Sequence, residues 1–106
     1  MDNSSSTSNL LFAQLVLIFQ TAAMQHMGKL KNPLRDKIER DLDEARISID
    51  FLEMLSEKTK GNLSSDEQRY LDTTLRDLRL NYVEEAAKDE AAARPQPSQE
   101  AAGQKT

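Results

Sequence analysis

The sequence predicts an all-α protein: a three-helix protomer with an antiparallel hairpin of helices two and three, assembled into a dimeric helical bundle. Three observations carry that expectation. Leu, Ala, Glu, Lys, Arg and Gln dominate the chain, β-branched residues are sparse, and Gly and Pro number three each among 106 residues. Straight-chain residues lose little rotamer freedom in a helix, whereas Gly and Pro interrupt one. Two segments repeat apolar residues at steps of three and four, the period of a helix with a buried side. A third segment, near the start, is apolar in every direction, and two short helices cannot cover a third all round.

That first segment is expected to be helical over residues 9–27. Residues 1–8 read as a disordered polar leader, with Ser8 or Asn9 placed to cap the helix and Gly28 placed to end it in a left-handed conformation. Between residues 10 and 19 only Gln14 is polar. Residues 29–40 form a connector, since Asn32-Pro33 turns the chain. Helical character is open to resume from Leu34, but the firm start of helix two is Asp41, with Glu44 in capping-box spacing.

Helix two is expected to run to about Lys60. Ile38, Leu42, Ala45, Ile49 and Leu52 form one apolar stripe, and Ile47, Phe51, Met54 and Leu55 a second patch. Glu39, Asp43, Arg46, Asp50, Glu53 and Glu57 share the remaining wet side. A helix with two apolar sides expects two neighbours. Lys58 and Lys60 suit the negative end of its dipole before Gly61-Asn62 breaks it.

Ser64, with Glu67 three residues on, opens a third helix over 65–89. So short a loop predicts the hairpin. Leu71, Leu75, Leu78 and Tyr82 make its core strip, flanked by Tyr70 and Thr74, while Leu80 and Val83 fall off it. The helix is expected to fray through Glu84, Glu85 and the alanines beyond. Pro95 and Pro97 close regular structure, so the domain reads as 9–90 and residues 91–106 as a disordered tail.

Composition narrows function. The net charge of −4 leaves no cationic cluster to displace phosphate counterions, so nucleic acid is not an expected partner. An acidic chain is also repelled by an anionic bilayer. The apolar run at 10–24 reads as shorter than a membrane span and carries Gln14, Gln20 and Thr21, with no Lys or Arg in the leader before it. No membrane partner and a cytoplasmic location are therefore expected. Asn62-Leu63-Ser64 and Asn3-Ser4-Ser5 match a glycosylation sequon by coincidence in that setting. With no Cys, thiolate chemistry and disulfides are excluded.

No catalytic, metal or cofactor residues are expected. His26 is the single His and has no company of ligands, so it reads as a residue of the helix end. Lys58-Thr59-Lys60-Gly61-Asn62 lacks the paired glycines of a phosphate loop and reads as a helix stop, with a weaker reading as an anion-binding corner. The acidic side of helix two reads as solvated, since catalytic carboxylates need burial or a crowded like charge.

The remaining signal is apolar surface. Leu11, Phe12, Leu15, Val16, Ile18 and Phe19, with Phe51 and Met54, are the expected interface of a homodimer. The alternative is an adaptor that takes a helix or peptide of a partner protein beside helix one. Either way the expectation is a non-enzymatic structural or interaction module.

Ile49-Asp50-Phe51-Leu52-Glu53-Met54-Leu55, the run Glu57-Lys58-Thr59-Lys60-Gly61-Asn62-Leu63, Asp66-Glu67, Leu71, Leu75, Leu78-Arg79 and Tyr82-Val83-Glu84 together resemble a small bacterial family, domain of unknown function 1844. The resemblance covers about residues 11–84. Where the family pattern has Leu-Gly after the first helix, this chain has Met27-Gly28, and its connector is more charged. The resemblance implies a bacterial, cytoplasmic, helical protein and assigns no catalytic residue.

Overall fold

A computed structural model describes residues 3–93. It holds three helices, α1 (Asn3–His26), α2 (Leu42–Lys58) and α3 (Ser65–Ala93), with no strand among the described residues. The all-α expectation is met.

α1 begins at Asn3, so residues 3–8, expected as an unstructured leader, continue the helix, and neither Ser8 nor Asn9 caps it. Once a helix is nucleated, each further residue gains a backbone bond for one pair of fixed dihedrals. Residues 3–8 contain no Gly or Pro to stop that growth. Residues 1–2 of the expected leader and 94–106 of the expected tail lie outside the described residues, while Ala91–Ala93 remain in α3.

The end of α1 follows from Gly28, at φ +84°. Its N–H donates to the Gln25 carbonyl at 3.0 Å, and that of Lys29 donates to the Met24 carbonyl at 2.9 Å. This double closure satisfies two carbonyls that the helix end would leave bare. A Cβ at Gly28 would meet Arg40 Cδ at 3.1 Å. Gly28→Ala therefore combines the left-handed penalty of about 1–2 kcal/mol with a push on Arg40. At Gly61 (φ +86°) a Cβ meets open space, so Gly61→Ala should cost less. Urea unfolding of the two variants measures the difference.

The connector is an irregular loop, with no helical turn resuming at Leu34. The Asn32 carbonyl accepts the Asp36 N–H at 2.7 Å, the Asn32 N–H donates to the Lys37 carbonyl at 2.7 Å, and Asn32 Oδ1 accepts the Leu34 N–H at 2.9 Å. Asp36 takes the left-handed region, φ 53°, which a short polar side chain tolerates better than most. Ile38, expected in the core stripe of helix two, lies in this loop and is exposed. Its spacing from Leu42 is helical, but the segment between them is not.

Asp41 caps α2. Its side chain accepts the Glu44 N–H at 3.2 Å, while its own N–H donates to the His26 carbonyl at 2.7 Å instead of to a returning Glu44. That last bond ties the start of α2 to the end of α1. α2 ends at Lys58, where Thr59 Oγ1 donates to the Leu55 carbonyl at 2.7 Å. At α3 the box is complete: Ser64 Oγ accepts the Glu67 N–H at 3.2 Å and Glu67 Oε1 accepts the Ser64 N–H at 2.9 Å. Ser64→Ala should lower stability by about 1 kcal/mol, read as a shift of the urea midpoint.

The core holds Val16 and Ala23 of α1 with Met27 just past its end, then Ala45, Ile49 and Leu52 of α2, and Leu71, Leu75 and Leu78 of α3. Phe12, Phe19, Leu42, Leu55, Tyr70 and Tyr82 pack partly buried at its edge. Leu80 and Val83 are exposed, as their place off the strip predicts.

Candidate interaction face

From Asn3 to Gln25 no residue of α1 carries a charge. One side of this neutral helix is used by its own chain: Val16 is fully buried, and Phe12 and Phe19 pack against the core. The rest is open. Leu10, Leu11, Leu17 and Ile18 are 51 to 67 % exposed, and Leu15 is 39 % exposed. From Thr7 to Leu11 no side chain belongs to the core or its edge. The residues between Thr7 and Leu11 are all exposed.

α2 extends the apolar surface. Phe19 and Phe51 stack with ring centroids 4.9 Å apart and planes at 20°. Such offset pairs add to the area they bury. Around Phe51, Ile47, Asp50 and Met54 line a shallow depression of about 270 Å³. Ile47, Phe51 and Met54 are each close to half exposed.

Of the eight residues expected at an interface, Leu11, Leu15, Ile18, Phe51 and Met54 are therefore available to a second molecule. Phe12 and Phe19 are shared with the core. Val16 corrects the expectation, since it faces inward and can contact no partner. The run that reads as too short for a membrane is also corrected: Thr7–His26, 20 residues with mean hydropathy 1.3, is long and apolar enough to cross one. The added length comes from both ends of the run, Thr7, Ser8 and Asn9 before it and Gln25 and His26 after it, all within the one continuous helix.

The charged candidates resolve differently. Lys60 lines a cleft of about 380 Å³ with Glu53, Glu57, Ser56, Gln68 and Arg79, so acids share the corner that the sequence offers more weakly as an anion site. Glu53 Oε2 accepts from Arg79 Nε at 2.7 Å. Glu39 lies in the connector, outside α2, and is held below the usual carboxylate range, first by the Asn32 side-chain amide and then by Arg35 and Lys37. His26 contributes its backbone carbonyl to the Asp41 N–H. Among the described residues no three of His, Cys, Asp and Glu gather as a metal set.

The one buried charged residue among those described is Glu85, placed by sequence reading in a fraying end. Its Oε1 accepts from Arg40 Nε and Nη2 at 3.3 and 3.1 Å, and its Oε2 from Lys88 and Lys29 at 2.9 and 3.2 Å. Arg40 also donates to the Glu85 carbonyl at 3.1 Å and to Asp89 at 2.7 Å. Lys88, then Lys29 and Arg40, hold the Glu85 carboxyl down at about 2 against the opposing effect of burial. The cluster ties both ends of the connector, Lys29 and Arg40, to α3. It is a fastening, with every oxygen of the carboxylate occupied.

The fold and this face define an all-helical chain whose open apolar side is its most distinctive surface. It belongs to the family described as Domain of unknown function (DUF1844), whose model matches residues 9–84. No curated protein and no solved structure matches the chain.

Proposed function

We propose that the chain is a non-enzymatic, cytoplasmic, self-associating module that buries the open side of α1 and the adjoining side of α2 in a homodimer. The observation that carries this is the exposure of Leu10, Leu11, Leu15, Leu17 and Ile18 on a helix with no charge from Asn3 to Gln25. Exposed contiguous apolar surface of this kind marks an interaction site in a water-soluble chain. The remainder of the protomer supports an antiparallel hairpin of α2 and α3. Glu53 in the middle of α2 pairs with Arg79, and Arg40, just before α2, pairs with Glu85 towards the end of α3.

Light scattering on the purified chain at micromolar concentration tests the reading. The expected mass is about 24 kDa, twice the 12.0 kDa chain. A mass of 12.0 kDa without lipid or partner overturns it. The depression beside Phe51 favours a second reading, an adaptor that seats an apolar anchor of a partner helix there. Its signature is a 12.0 kDa chain that purifies in a stoichiometric complex with another protein.

A further inference from the structure

Leu11, Leu15, Ile18 and Ala22 follow one another at steps of four, three and four on the outer side of α1. That is the spacing of a coiled-coil seam. The first three are exposed and Ala22, half-buried, is small enough to admit a neighbouring helix closely. Two copies brought together carry a combined acidic charge, so contact is easiest where neither presents any. The neutral side of α1 is such a place, whereas the outer side of α3 carries Asp72, Arg76 and Asp77.

Resting on the self-association proposed above, we infer that two copies pair through α1 laid antiparallel, with the two-fold axis between Gln14 and Leu15. In that register Leu11 of one copy faces Ile18 of the other, the two Leu15 side chains meet near the axis, and residues 7–11 extend over the other copy's body. Those residues then cover its Phe51 and Ile47, since Phe19 stacks on Phe51 at that level of the bundle. A parallel seam sets the two projecting ends against each other and leaves them off the α2 stripe. Antiparallel packing also places the positive end of one helix dipole by the negative end of the other.

The area agrees with a dimer. The open parts of Leu11, Leu15, Ile18, Ile47, Phe51 and Met54 come to on the order of 500 Å² of apolar surface, which is about what an interface of ~800 Å² per partner needs at roughly two-thirds apolar content.

The chain has no Cys, so single cysteines report the register without background. Leu15→Cys, Leu11→Cys and Ile18→Cys, all at exposed positions, are oxidised at micromolar concentration with helicity checked by circular dichroism. Covalent dimer from Leu15→Cys, and from an equimolar mixture of Leu11→Cys with Ile18→Cys but not from Leu11→Cys alone, is the expected result. Efficient dimer from Leu11→Cys alone, in a chain that scatters light as a dimer, overturns the antiparallel register and leaves self-association standing. A chain that is monomeric in scattering overturns both. Sedimentation with phosphatidylcholine vesicles, accompanied by loss of the Leu15→Cys cross-link, gives the face to a bilayer and likewise overturns the inference.

Discussion

Leu71→Ala is expected to lower the free energy of unfolding by about 2–5 kcal/mol, the range for deleting most of a fully buried Leu and leaving a hole. Leu71 is 0 % exposed and belongs to the strip that α3 turns into the core, on the same cluster as Leu52 and Val16. A core of this size rarely supplies more than ~3–5 kcal/mol in total. The variant should therefore be largely unfolded at 25 °C, or nearly so. Leu80→Ala is the control, because the same atoms are removed from a side chain that is 58 % exposed. It should stay within about 0.5 kcal/mol of the parent. Urea titrations followed by circular dichroism, at one protein concentration because assembly would add its own stabilisation, separate the two. Equal midpoints for the two variants would mean that α3 does not pack by this strip.

The helix boundaries that residue chemistry dictates were legible. Gly28 at a positive φ, Asp41 accepting from the Glu44 N–H, and Ser64 exchanging bonds with Glu67 are local arrangements, complete within four residues. The misreadings have local causes of another kind. Ser and Asn compete with helix through their own side chains and read as leader, yet residues 3–8 follow α1 because nothing in them stops a helix that the apolar run has started. Ile38 has the right interval to Leu42, but periodicity speaks only within a helix, and the Asn32 turn holds the chain out of one.

The apolar face was legible as a composition and not as a direction. When every side of a helix is apolar, nothing in its sequence says which side its own chain will use. Val16 and Leu15 are adjacent and equally apolar, and docking of α2 and α3 is what buries the first and leaves the second open. Glu85 failed to be legible because two of its three cationic partners are remote, Arg40 lying 45 positions away and Lys29 farther still. One signal was available. After Leu71, Leu75, Leu78 and Tyr82, the next inward position of the strip is Glu85. A carboxylate at a core position demands cations from somewhere.

That demand makes acid the sharpest probe of the fastening at Glu85. At neutral pH Glu85→Gln should unfold at lower urea than the parent, because the amide leaves Arg40, Lys29 and Lys88 without their shared anion. The folded carboxyl titrates at about 2 and the unfolded one at its ordinary 4.5. Protons therefore bind the unfolded chain first as pH falls. The stabilisation from the carboxylate is whole above pH 4.5, shrinks as pH drops below it, and is gone by about 2. The gap in urea midpoint between parent and Glu85→Gln should close over that window, while acid effects common to both chains, including that of Glu39, cancel in the difference. Added salt should narrow the gap little at pH 7, since the Glu85 side chain is only 8 % exposed. A gap that stays constant from pH 7 to pH 2 would show that Glu85 acts by shape alone and that the three cations do not hold the two ends of the connector to α3.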